Sequence, residues 1–336
     1  MMMKRLIFRV CRNIHRSGDG RKRRAVCVSV LLVLLCALLS LTGCRIGGEE
    51  GAEDVEISDT SKESYGVFLG IDSKSFDVNL FDEYDLVVVD AQELRPDQLA
   101  QLHARGHVVY SYLNVGSIET NRDYFSKYKD LCLFKYENWP DEYWVDVTQK
   151  KWQKFTGSGL VDRIRANDPE VDGLFLDNLD IYYQVQAKKK YRSMKEDVYG
   201  ALINILEMYR ETGLPVLVNG ADTFVSRLID EEREDLIRGV NQETVFSRII
   251  DYDKDKFGQQ PKKENEYYTE YLKACKKADI DVFLLEYTTD EDVEKKICRY
   301  CVKNGFRFYI SPHVNLTLPD DRRKAYRMSC FCSGME

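Results

Sequence analysis

An apolar run closes in acid at Gly173-Leu174-Phe175-Leu176-Asp177-Asn178-Leu179-Asp180, with Tyr182 and Tyr183 just behind. A buried strand that finishes in two carboxylates and an amide holds those groups in fixed positions. Other apolar runs end the same way: in Asp72, Asp90, Asn114, Asn219 with Asp222, Glu243, Glu286 with Tyr287, and Ser311. Taken singly, each ending reads as a cap or turn residue, because Asp and Asn accept hydrogen bonds from the first turn of a following helix. Carboxylates or amides at seven of eight endings imply one shared polar pocket.

Elimination narrows the chemistry such a pocket could do. Beyond the N-terminal segment the histidines are His103, His107 and His313. The first two precede the third run, and His313 stands alone as a structural or substrate-contacting residue. That is too few for a metal-hydrolase site, which needs several histidines at strand ends. There is no G-x-S-x-G elbow, no Cys–His pair and no phosphate-cradling glycine loop, so neither metal nor cofactor is expected. Carboxylates beside aromatic rings remain. Glycoside hydrolysis uses that combination: one carboxylate as nucleophile or base, one as general acid, and rings that stack on sugars. Tyr65, Tyr110, Tyr112, Tyr182, Tyr183, Tyr287 and Trp144 lie near the run ends, where they serve either as sugar contacts or as core and rim.

These residues need elements to position them. Eight short apolar runs start at residues 65, 86, 108, 173, 215, 239, 282 and 306, with stretches of helical period between them. Pro96–Arg105, Met194–Thr212 and Lys263–Ala278 are three such helices. Continuous apolar strands alternating with helices predict a parallel sheet covered on both faces. Eight units at this length predict an α/β fold, a single-domain (β/α)8 TIM barrel over 65–330, whose strand C-termini converge on one face.

The ends of the chain read differently. Residues 1–44 run from a basic lead through uncharged Ala25–Leu41 to Leu41-Thr42-Gly43-Cys44, the pattern of a secretory signal. The ending resembles the lipobox of bacterial lipoproteins, with Cys44 as the lipidated residue; the competing reading is an uncleaved membrane anchor. Residues 45–64 form a Gly-, Glu-, Asp- and Ser-rich tether, and 331–336 a tail. The expected location is the bacterial cell surface, held to the membrane through lipid. Residues 1–44 hold nine Lys and Arg against Asp19, so a whole-chain charge of −7 leaves −15 for the rest. Nucleic acid is therefore excluded as a partner. The acidity suits a cationic ligand, or simply solubility. Cys298-Arg-Tyr-Cys301 lacks a second CxxC at zinc spacing; C-terminal disulfides or buried thiols are both open.

Five stretches carry a resemblance, in order: "YSYLNVGSIETNRDY", "YWVDVTQKKWQKF", "VDGLFLDNLDIYY", "PVLVNGAD" and "VNQETVF". They are similar to glycoside hydrolase family 114, the endo-α-1,4-polygalactosaminidases, from about Tyr65 to Pro312. The resemblance implies a (β/α)8 barrel cleaving α-1,4-linked galactosamine or N-acetylgalactosamine polysaccharide. It implies Asp177 as nucleophile and Glu243 as acid/base, and it places Tyr112, Asn178, Asp180 and Tyr182 in the substrate cleft, with Glu119 and Arg122 on the loop after strand three. Asp72, Asn114, Asn219, Glu286 and Tyr287 join as substrate contacts from their run-end positions, and Glu286 is a second candidate acid because a one-residue slip would turn Glu243 away. Two positions depart from the family pattern: Ser117 stands where Glu is frequent, and Glu286-Tyr287 where "DY" is. A barrel that binds glycan without cutting it is the alternative reading.

Overall fold

The computed structural model describes residues 64–317. The signal segment with Cys44, the tether up to residue 63, and the tail with Cys330 and Cys332 lie outside the described residues.

Eight parallel strands form the sheet: β1 (Tyr65–Phe68), β2 (Leu86–Val89), β3 (Val108–Asn114), β4 (Gly173–Asp177), β5 (Val216–Asn219), β6 (Gly239–Glu243), β7 (Asp281–Tyr287) and β8 (Arg307–Ser311). Each pairs with the next in sequence order, from β1 through to β8. β1 and β8 then lie alongside each other, where the Phe68 and Tyr309 rings pack 5.4 Å apart. This is the (β/α)8 barrel that the eight runs predicted, and every strand falls inside its run except β7, which starts one residue earlier, at Asp281. At the first described residue, Ser64 donates from its N–H and its hydroxyl to Asp85 Oδ2, at 2.6 and 2.9 Å.

Burial explains the continuous apolar strands. Val87, Val88, Val89, Leu174, Phe175, Leu176, Val218 and Val240 have no exposure at all, because one face meets the barrel interior and the other the helices. Burying each such side chain contributes about 1.5–3 kcal/mol. Helix boundaries follow local chemistry. Pro96 opens the helix Pro96–Ala104 at its first turn. The helix Lys195–Thr212 stops at Gly213, whose φ of 74° is left-handed. Asp290 caps the helix Glu291–Asn304 by accepting from Asp292 and Val293 N–H, at 2.9 and 3.2 Å.

Two excursions rise from the C-terminal side of the barrel. Between β3 and β4, a three-stranded antiparallel sheet orders Ser117–Glu119, Glu142–Val145 and Cys132–Lys135. Between β6 and β7, Ser247–Asp251 pairs with Lys256–Gln259 as a hairpin. The apolar periodicity did not reveal either one, since their strands are three to five residues long.

His103 and His107 belong to the opposite side, as their place before β3 implied. His103 Nε2 lies 2.9 Å from Asp168 Oδ1, and His107 Nδ1 lies 2.7 Å from the Tyr84 carbonyl. His313 is structural: it meets Asp255 Oδ2 at 2.9 Å, tying the hairpin turn to the segment after β8. Cys298 is disulfide-bonded, while Cys132 and Cys275 remain thiols.

Candidate active site

Register sets the site before any side chain does. In parallel pairing, Asn114 sits beside Asp177, Asn219 beside Asn241, and Leu285 beside Glu243. Residues two apart share a face, so Tyr112 with Asn114, Phe175 with Asp177, and Asn241 with Glu243 all point into the barrel.

Asp177 and Glu243 share one amide. Asn219 Nδ2 donates to Asp177 Oδ1 at 2.9 Å and to Glu243 Oε1 at 2.8 Å. One nitrogen donating twice at roughly 120° holds those two oxygens about 5 Å apart. Asn219 is itself oriented from behind. Its Oδ1 accepts from Asn241 Nδ2 at 2.6 Å, and Asn241 Oδ1 accepts from the Tyr65 hydroxyl at 3.1 Å. This chain fixes which end of the Asn219 amide faces the acids. Asn241 went unnoticed in the sequence, although its place two residues before Glu243 is the signal that would have found it.

The two carboxyls are held differently. Asp177 also accepts from the Asn178 backbone N–H at 2.9 Å and from the Tyr112 hydroxyl at 3.3 Å. Burial raises its pKa, and these donors oppose the rise. Among the described residues, Glu243 takes the Asn219 amide and the Tyr287 hydroxyl, the latter at 3.1 Å. Burial first, then the nearby Asp177 charge, push Glu243 up to about 7. With more donors opposing the rise, Asp177 is the better held as a carboxylate, and Glu243 is the better placed to keep a proton.

A third carboxyl lies beside Asp177, reached through Asn178. Glu142 Oε1 accepts from Asn114 Nδ2 at 2.8 Å, from Asn178 Nδ2 at 2.9 Å and from the Ser117 hydroxyl. Burial raises Glu142 to about 7. Asn178 adopts a left-handed φ of 65°, which Asn tolerates better than most residues. Gly116 makes room for it, because a Cβ there would meet the Asn178 carbonyl oxygen at 1.8 Å. Glu142 was missed because it comes from the excursion rather than from a barrel strand. Ser117, where the family pattern has Glu, hydrogen-bonds this carboxyl.

Glu119 and Arg122 reach the same wall. Glu119 Oε1 accepts from Tyr112 at 3.4 Å and from Arg122 at 3.0 Å, and Arg122 also pairs with Asp90 at 2.7 Å.

Asp180 belongs to the rim: its Oδ2 accepts from Ala221 N–H at 3.1 Å and supports the turn after β5. Burial, with Asp222 and Asp177 nearby, lifts it to about 7.

Three expected substrate contacts point elsewhere. Asp72 caps its own turn, accepting from Lys74 and Ser75 N–H at 3.0 and 2.9 Å. Tyr182 is buried in the helix layer against Tyr199 and Phe224 and accepts from Arg227 Nη1 at 3.0 Å. Glu286 faces away from the barrel axis because its neighbour Tyr287 faces in. Its oxygens accept from Phe246 N–H and Ser247 N–H, both at 2.9 Å, and from the Ser247 hydroxyl at 2.5 Å. It pins the start of the hairpin. The feared slip at β6 does not occur: Glu243 faces in and its neighbour Gln242 is turned from the pair. Among the described residues no cluster of three His, Cys, Asp or Glu could hold a metal ion.

An eight-stranded parallel barrel with paired carboxyls and tyrosines on its C-terminal face is the architecture of barrel glycosidases. The sequence profile of glycoside-hydrolase family GH114 matches residues 59–332, and the chain belongs to that family. No curated protein matches it. Solved structures share the fold at low identity. The glycoside hydrolase domain of PelA from Pseudomonas aeruginosa is 17% identical, with 76% of this chain and 96% of that chain covered and a TM-score of 0.62. Ega3 from Aspergillus fumigatus, solved in complex with galactosamine, is 15% identical over 76% and 93%, with a TM-score of 0.57. The α-galactosidase TtGalA from Thermus thermophilus is 11% identical over 85% and 62%, with a TM-score of 0.50.

Proposed function

We propose that this protein is a surface-anchored glycosidase that cleaves α-1,4-linked galactosamine or N-acetylgalactosamine polysaccharide within the chain, using Asp177 as nucleophile and Glu243 as acid/base. The observation that carries this reading is the single Asn219 amide shared by the two carboxyls. Retaining glycosidases keep their carboxyls about 5–5.5 Å apart and inverting ones wider, so the spacing supports retention. Asp177 attacks the anomeric carbon while protonated Glu243 gives its proton to the departing glycosidic oxygen. Ionised Glu243 then takes a proton from water, which displaces Asp177 and restores both groups. The galactosamine in the Ega3 structure and a charge of −15 beyond residue 44, given −7 overall, support an amino-sugar polymer.

The test is mass spectrometry of products after incubating purified full-length protein with acetylated and de-acetylated galactosamine oligosaccharides. Wild type should yield shorter oligomers and Asp177→Asn none. Equal binding by both without cleavage would leave a glycan-binding lipoprotein on the same barrel. Anchoring through lipid on Cys44 is part of the proposal. Cys44→Ala should move the protein from the membrane to the soluble fraction, and an unchanged distribution would refute it.

A further inference from the structure

The tips of the two excursions meet. Asn138 and Trp139 sit in the turn between Cys132–Lys135 and Glu142–Val145, and Tyr252 sits in the hairpin turn after Ser247–Asp251. Asn138 Nδ2 donates to the Tyr252 hydroxyl at 3.2 Å, and the Trp139 and Tyr252 rings lie 5.8 Å apart at 83°. These loops leave the barrel after β3 and β6, which are three positions apart in the strand order. Their contact ties the two loops into a strap; β4 and β5, the strands that end in Asp177 and Asn219, lie between them in that order, and the Glu243 charge acts on Tyr252. The roots of the strap stand beside the acids. Tyr136 stacks on Trp144 at 4.7 Å and 13°, and Phe257 stacks on Tyr287, the donor to Glu243, at 6.2 Å.

Trp139 is 43% exposed and Tyr252 36%. An edge-to-face contact covers one face of one ring and leaves the others to solvent. Two large, partly exposed rings on loops that flank the paired carboxyls offer flat apolar faces on which pyranose C–H faces stack. We infer that Trp139 and Tyr252 form a sugar-stacking subsite that binds a pyranose ring of the polysaccharide beyond the one being cleaved. This rests on the glycan reading above, but not on catalysis.

The chain has three tryptophans, and Trp144 and Trp152 are 2% and 0% exposed, so Trp139 is the one open to direct contact with added sugar, and its own share of any emission change is read from Trp139→Phe. Titrating Asp177→Asn with galactosamine hexamers, acetylated and de-acetylated, should give a saturable change that disappears in Asp177→Asn/Trp139→Phe. In the otherwise native enzyme, Trp139→Ala and Tyr252→Ala should each raise KM about three- to tenfold, more for hexamer than for trimer, while Trp139→Phe and Tyr252→Phe restore most of it. KM values equal to wild type in both alanine variants, or an emission change that survives Trp139→Phe, would overturn the subsite. If wild type cleaves nothing yet the emission change still depends on Trp139, the catalytic reading falls and the subsite stands. Absence of both cleavage and emission change removes both.

Discussion

One side-chain amide organises the paired carboxyls. Asn219 faces two carboxyls at 2.9 and 2.8 Å, and Asn241 with Tyr65 prevents it from flipping. Burial raises both carboxyls, and Asp177 has more donors opposing that rise than Glu243. With Glu243 at about 7, an acid role requires its proton, so activity should fall as pH rises through that value. Glu243→Gln should lower kcat by about 10²–10⁴ on the polysaccharide and abolish that basic limb, with a smaller loss on an aryl glycoside whose leaving group needs no proton. A pH profile of kcat/KM reads this directly, and a limb that persists in the variant would assign it to another group.

At the scale of elements, the barrel supplies the acids and the excursions supply the walls. Glu286 shows how alternation divides these duties. Tyr287 turns inward to Glu243, so Glu286 must turn outward, where it holds Phe246 and Ser247. Glu286→Ala would strand those donors, at about 1–3 kcal/mol for each buried group left unpaired. The expected result is a Tm lower by roughly 5–10 °C and faster proteolysis between residues 247 and 259. Proteolysis at the wild-type rate would mean that the hairpin is held by other contacts.

Across the whole molecule, the buried carboxyls make stability depend on pH. Glu142, Glu243 and Glu286 each stand at about 7 in the fold, chiefly through burial, against an ordinary 4.5. Between those values the native state keeps protons that the unfolded chain has lost. Their contribution to stability is therefore full below about 4.5 and is lost as pH rises through 7. Each group contributes on the order of 3 kcal/mol to that decline. Calorimetry from pH 5 to 8 should show Tm falling. Glu142→Gln, whose amide oxygen can still accept from Asn114 and Asn178, should flatten the fall, and a slope identical to wild type would count against a buried, protonated Glu142.

The barrel was legible in the sequence because burial on both faces writes each strand as an unbroken apolar run, and eight runs at this length leave few other folds. Asp177, Asn219, Glu243 and Tyr287 were legible for the same reason: strand ends converge whatever the loops do. Side-chain direction was harder to read. Glu286 and Tyr182 carried the right chemistry at plausible positions, yet strand alternation turned one outward and helix packing buried the other. Glu142 was invisible as a site residue, since it arrives on a short antiparallel excursion, and Asn241 was passed over because it sits a layer below the strand end, although its spacing from Glu243 pointed to it. The pattern of apolar and acidic residues thus determined the architecture and the class of chemistry. Only the tertiary structure decided which acids share an amide and which rings cross the mouth, because those depend on contacts between segments far apart in the chain.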